Sequence, residues 1–220
     1  MALAESLRLV LAPPHPAGRP FIAGGAVAMV LGLFVGNWLT WLGGLFILFC
    51  LYFFRDPERV APDRPVVIAP ADGHIVSVQM AVPPVELDLG DVPRWRVAIF
   101  LSVLDVHVNR SPVAGTVTRI AYRHGKFLSA NLDKASTDNE RNALAILMPD
   151  GRDLAVVQIA GLIARRILCD VREGEMVTAG GRFGIIRFGS RTDVYLPHGV
   201  TPLVAVGQTM IGGETVVAEL

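Results

Sequence analysis

From residue 21 to residue 54 the chain carries no charged side chain, and this run of 34 residues limits what the rest can fold into. As one helix it would be about 51 Å long, far beyond the ~30 Å of a hydrocarbon core. Divided near Gly36-Asn37 it gives two helices of about 24–26 Å, short but able to span with some bilayer thinning. Trp38 and Trp41 lie beside that division, where indole rings favour a membrane interface. Arg8 and Arg19 precede the run, Arg55, Arg59 and Arg64 follow it, and the division itself has no charge, so both ends are expected on the cytoplasmic side. A cleaved signal peptide has an apolar region of only about 7–15 residues. A core hairpin would ordinarily show a polar face. Residues 1–54 are therefore expected to be a Pro-rich leader followed by a membrane-associated helical hairpin, spanning the cytoplasmic membrane or dipping into one leaflet.

The remaining composition narrows the function. The 20 basic and 20 acidic side chains balance, so no global field favours nucleic acid. Cys50 and Cys169 form no C-x-x-C pair, and the five histidines show no ligand spacing, so neither a disulfide nor a metal site is expected.

Composition changes abruptly at Arg55-Asp-Pro-Glu-Arg59, with Pro62 and Pro65 continuing the linker. Beyond it come short β-type runs at 66–69, 74–79, 94–101, 115–122, 143–148 and 153–160, punctuated by Gly and Pro. This spacing predicts a mainly β domain over residues 55–220, an antiparallel barrel or sandwich. Residues 159–169 read equally as strand or short helix. The tail, with Gly turns between short strands, has the look of a barrel-sandwich carrier module. A carrier needs its modified lysine at a hairpin tip, however, and no lysine lies beyond Lys134.

Four stretches can carry chemistry. Pro70-Ala-Asp-Gly73 reads as a turn, and Asp72 would place a carboxylate at a strand end, where it could orient a histidine. In the stretch 100–112, Asp105, His107 and Asn109 alternate with Val106 and Val108, so a strand there would present three polar groups on one face. That suits solvent or the wall of an active site, and His107 is the natural acid/base group. The polar stretch 122–142 is longer than the usual connection, as binding loops often are; Arg141 could meet a phosphate there and Asn131 could add neutral hydrogen bonds. Finally, Gly189-Ser190 opens the alternating run Thr192-Asp-Val-Tyr-Leu196. By itself this is an ordinary turn into a strand. A serine hydroxyl held against the preceding glycine carbonyl can also attack it, since glycine leaves the approach open.

Phe54-Arg-Asp-Pro-Glu58, Pro70-Ala-Asp-Gly73, Asp105-Val-His-Val-Asn-Arg-Ser-Pro112, Asn139-Glu-Arg-Asn142 and Phe188-Gly-Ser190 occur in that order, and together they resemble the short form of phosphatidylserine decarboxylase. The resemblance implies a proenzyme. Ser190 would attack the Gly189 carbonyl, converting amide to ester. β-Elimination would then release residues 1–189 as a β chain, and loss of ammonia would leave a pyruvoyl group at the head of the α chain. That group is the implied cofactor, with no metal, and its ketone is the electron sink for loss of CO2. The resemblance also implies phosphatidylserine as substrate, an anionic membrane surface as partner, and roles for Asp72 and His107 in self-cleavage and protonation. Oligomeric state stays open. Two departures stand out. The larger bacterial enzymes have Leu-Gly-Ser-Thr, whereas here Phe188 precedes and Arg191 follows. They also carry a second histidine where this chain has Arg110, so either His107 serves both steps or Arg110 binds the substrate phosphate.

The competing readings are a non-enzymatic membrane-anchored β-barrel adaptor and a pyruvoyl enzyme for another amino-phospholipid or a soluble amino acid. An adaptor would remain one intact polypeptide, indifferent to Ser190→Ala. A serine hydrolase fits poorly, because Gly-x-Ser-x-Gly is absent around Ser190.

Overall fold

The computed structural model describes residues 12–125, 139–161, 166–187 and 190–220. The chain divides into two compact units, Met1–Glu58 and Arg59–Leu220.

In the first unit, a single 3-10 turn (Pro16–Gly18) leads into α1 (Arg19–Val35), and α2 (Asn37–Phe53) follows after one residue. The break falls at Gly36, whose φ of 152° takes the backbone out of the helical region. The helices pack as a hairpin because small residues line their contact. A β-carbon on Gly32 would lie 2.3 Å from the Thr40 nitrogen, and one on Gly43 would lie 2.8 Å from the Gly25 carbonyl. The outer faces carry Leu33, Phe34, Trp38, Trp41 and Leu45, all exposed. The helical stretch Pro16–Val35 is long and apolar enough to cross a membrane; Asn37–Phe53, at 17 residues, is shorter. The unit closes on itself where His15 N donates to Phe54 O (2.7 Å) and Asp56 N to Pro13 O (3.0 Å).

The second unit is built from β1 (Val66–Ile68), β2 (Gly73–Ala81), β3 (Arg94–Leu101), β4 (Val108–Arg110), β5 (Gly115–Arg123), β6 (Arg141–Leu147) and β7 (Asp153–Ala160). These are followed by β8 (Ile167–Cys169), β9 (Met176–Val177), β10 (Arg182–Ile186), β11 (Ser190–Tyr195), β12 (Thr209–Met210) and β13 (Val216–Glu219). The main sheet has the order β12-β2-β3-β11-β7-β6-β5-β9; β4-β10-β8 and β1-β13 form two smaller sheets. All the pairings among the described residues are antiparallel. Register shifts at Ile75/Ser77 in β2 and Val117/Arg119 in β5 add local bends, and the sheet curls into a half-barrel. The domain is mainly β, as the strand spacing predicts. The ambiguous stretch 159–169 has strand at both of its described ends, and the tail strands join all three sheets.

The main sheet is buried on both faces along its central strands β6, β7 and β11. One face carries Ile75, Val97, Ile99, Leu144, Val156 and Val194, packed with Val67, Phe183 and Val217 of the smaller sheets. The other carries Ala143, Ala155, Val157, Ile159 and Tyr195, packed with Leu87 from the 3-10 turn Val85–Leu87. Gly73 shows how tightly β2 meets β3. Its φ is 141°, and a β-carbon there would sit 2.1 Å from the Phe100 carbonyl oxygen. Gly73→Ala is expected to cost about 2–4 kcal/mol, read as a lower urea midpoint at unchanged slope. A loss below about 0.5 kcal/mol would contradict this packing.

Candidate active site

The strand order gathers one set of strand ends onto a single rim. Ser190 begins β11 and lies in register between Leu101, the last residue of β3, and Ala160, the last residue of β7. Ala160 N donates to Glu140 O (2.9 Å), and the Asn139 side-chain amide donates to Ala160 O (2.7 Å), which fixes the start of β6 at the same place. Ile186 N donates to His107 O (3.4 Å), tying the end of β10 to the residue that precedes β4.

Ser190 is fully buried, and its Oγ has no hydrogen-bond partner among the described residues. A buried hydroxyl normally finds a partner, so an orphan of this kind calls for a chemical reason. His107 is also fully buried. Its Nδ1 lies 2.9 Å from the Asp105 carbonyl, which can only accept; a neutral ring therefore has its proton on Nδ1 and its lone pair on Nε2.

Asp105 itself departs from the alternating strand that the sequence suggests. β3 stops at Leu101, and residues 103–105 form a turn in which the Asp105 carboxylate accepts from Ser102 N (2.7 Å) and Asp105 N donates to Ser102 O (3.0 Å). The local side-chain bond wins over strand continuation. Asn109 remains buried in β4 and joins a row of amides. Asn142 donates to Gln158 Oε1 (3.0 Å), Gln158 Nε2 donates to Asn109 Oδ1 (2.8 Å), and Asn109 Nδ2 reaches Thr192 Oγ1 (3.5 Å). Because each member is paired, this row can lie in the core beneath Ser190 and join β4 to the main sheet.

The other residues singled out from sequence are placed as follows. Asp72 accepts from Arg59 Nη2 (2.8 Å) and Gly212 N (2.7 Å), so it anchors the 70–73 turn to the loop after β12. Arg110 donates from Nη1 to Gly180 O (3.0 Å), and Arg141 donates from Nη2 to Glu86 Oε1 (2.7 Å). Both guanidinium groups thus support the framework. Gly189 and Asn131 lie outside the described residues.

Two features escaped sequence reading. On the other face of β11, Arg191 and Asp193 are fully buried and joined by two bonds, Nε to Oδ1 at 2.6 Å and Nη2 to Oδ2 at 3.0 Å, with Arg96 Nε 3.8 Å from Oδ2. An i, i+2 pair of opposite charge in a strand is the available signal, and pairing is what makes its burial tolerable. The second feature is polar and lies on the rim. The Tyr122 hydroxyl donates to Glu140 Oε1, and burial, followed by the Glu140 carboxylate, pushes this phenol up to about 12.

Comparison with known proteins bears directly on this arrangement. A sequence profile of the family described as phosphatidylserine decarboxylase matches residues 46–218. A phosphatidylserine decarboxylase proenzyme of Granulibacter bethesdensis is 72% identical, covering 100% of this chain and 91% of its own length. Proteins of the same name from Gluconacetobacter diazotrophicus and Cereibacter sphaeroides are 66% and 56% identical, covering 100% and 98% of this chain and 100% and 94% of their own lengths.

Proposed function

The chain belongs to the phosphatidylserine decarboxylase family, and from that membership we propose how it works: it is made as a proenzyme, cuts its own backbone between Gly189 and Ser190, and uses the pyruvoyl group left at position 190. Its activity is decarboxylation of phosphatidylserine to phosphatidylethanolamine and CO2, a step of phospholipid biosynthesis. In a preparation that turns over, CO2 released from the serine carboxyl should match phosphatidylethanolamine formed, one for one. Absence of CO2 release from a cleaved preparation would overturn the reading.

The observation that carries the site assignment is the orphaned, fully buried Oγ of Ser190 at the start of β11. Conversion of this serine to a pyruvoyl group removes the hydroxyl, and a pocket that gives the hydroxyl no partner loses no hydrogen bond when that happens. Position 190 would hold the group, and its carbonyl supplies the electron sink that loss of CO2 from an α-amino carboxylate requires. The protein's own residues do the rest. The Asp105 carbonyl holds His107 in the tautomer with its lone pair on Nε2, which suits this ring as the base for self-cleavage and as the later proton donor to the substrate's α-carbon. Asp72 acts at one remove, holding the 70–73 turn beside Gly212.

Residues 1–54 bring the site to the lipid, residues 55–220 are the catalytic part, and the cytoplasmic face of the cell membrane is the working location. The exposed apolar faces of α1 and α2 support this. Electrostatics contributes less than the count of arginines suggests. Arg59 and Arg64 pair with Asp72 and Glu219, so neither offers the ~1 kcal/mol of a free basic side chain near an anionic surface. Removing residues 1–54 should lower turnover on phosphatidylserine vesicles by about 10²-fold, the scale of a lost tether, while self-cleavage persists. Equal loss of both would contradict the division of labour.

A further inference from the structure

Two arginines stand side by side on the Ser190 rim, brought together by the pairing of β8 with β10. β8 and β10 pair through Ile167 and Ile186, and the next hydrogen bond outward runs from Arg187 N to Arg166 O (3.2 Å). Arg166 and Arg187 therefore stand opposite one another across an antiparallel pair, where like charges are destabilising. Burial, and then the Arg166 charge, hold Arg187 below the usual guanidinium range. Arg166 is exposed and forms no ion pair among the described residues. Glu140 shares this rim, where its Oε1 accepts the Tyr122 hydroxyl.

The position of the pair matters as much as its charge. Ile186, Ile167 and Ala160 form one buried apolar cluster. Arg187 follows the first, Arg166 precedes the second, and Ser190 is the register partner of the third. The small cluster thus links both arginines to the residue at which the chemistry takes place.

We infer that Arg166 and Arg187 form the seat for the phosphodiester of the substrate headgroup. This rests on the decarboxylase reading above. In phosphatidylserine the phosphate is joined to the reacting α-carbon through a single CH2–O link, so its seat must lie close to position 190. The planar guanidinium fork matches phosphate oxygens and takes them two at a time. The substrate carboxylate is the wrong occupant. It leaves as neutral CO2, and a cationic clamp on it would stabilise the ground state more than the transition state. The phosphodiester keeps its charge from substrate to product, so binding energy spent there does not oppose the reaction.

The test uses the full-length protein and two substrates, the water-soluble headgroup sn-glycero-3-phosphoserine and phosphatidylserine in vesicles. Arg187→Gln and Arg166→Gln should each raise KM for the soluble headgroup by about ten-fold or more, the scale of one lost charge-assisted contact. Turnover per cleaved chain should stay within about three-fold, since the contact is equally strong in ground and transition states. Arg152→Gln, which removes an exposed guanidinium paired with Asp150, should leave KM unchanged. If KM rises only on vesicles and stays at the wild-type value for the soluble headgroup, the arginines meet the bilayer surface and the seat is refuted. If a variant fails to cleave itself, sn-glycero-3-phosphoserine is titrated into the Ser190→Ala chain with and without Arg187→Gln: about ten-fold weaker binding supports the seat, and equal binding refutes it. Failure of the underlying reading looks different, since wild-type protein would then release no CO2 at all.

Discussion

Ser190→Ala should leave a single full-length chain and no decarboxylation above background, with folding stability unchanged within about 0.5 kcal/mol. The three results belong together. The Ser190 Oγ is the proposed nucleophile in self-cleavage and Ser190 is the proposed source of the cofactor, so one substitution removes both activities. Losses of this kind are not additive with those of neighbouring residues and reach about 10⁴-fold or more, limited by the assay. Stability should hold because Ser190 is fully buried and its Oγ has no partner among the described residues, so removing it breaks no hydrogen bond. Denaturing mass analysis, CO2 release and a urea midpoint read the three outcomes. A Ser190→Ala chain that still divides, or still releases CO2, would remove Ser190 from the mechanism. A destabilised variant would make Ser190 a packing residue.

His107→Gln should slow self-cleavage and, in whatever fraction does cleave, slow decarboxylation per α chain, each by about 10²–10⁴-fold, the usual worth of a positioned acid/base group. Both readouts are needed, because a histidine used only in maturation would leave turnover per α chain intact. Glutamine is chosen over alanine to limit the cavity at a fully buried position. A urea midpoint within about 1 kcal/mol of wild type shows that the loss is chemical. Cleavage and per-chain turnover both within about three-fold of wild type would exclude His107 as the base.

These expectations draw on features of unequal visibility in the chain. The helical hairpin was legible because a charge-free run too long for one span has to break, and Gly36 is where glycine and a polar neighbour permit it. The strands at Arg94–Leu101 and Asp153–Ala160 were legible from β-type residues bounded by breakers. Ser190 at a strand entrance was readable as well, because Gly-Ser followed by alternation marks that kind of position. What stayed hidden depends on partners distant in sequence. Gln158 sits inside an otherwise apolar run, and its burial is explained by Asn142 on the neighbouring strand and by the approach of Asn109 from another sheet. Arg141 meets Glu86, 55 residues away, a contact that local spacing does not announce. Thr192-Asp-Val-Tyr alternates like a half-buried strand. Both of its faces are in fact buried, because Val194 packs with residues of the smaller sheets on one side, Tyr195 packs in the Leu87 cluster on the other, and the Asp193 charge is matched by Arg191. Asp105 looked like a strand residue because spacing alone does not register that its side chain can bond back to Ser102. Arg166 and Arg187 become neighbours only once β8 and β10 pair.

The most direct measurement is the intact mass of the purified wild-type protein under denaturing conditions. Two chains are expected, one ending at Gly189 and a smaller one beginning at former residue 190 that resists N-terminal sequencing because it has no free amine. A single chain that stays uncut after incubation with anionic lipid would contradict self-cleavage at Gly189-Ser190, and with it the proposed source of the cofactor.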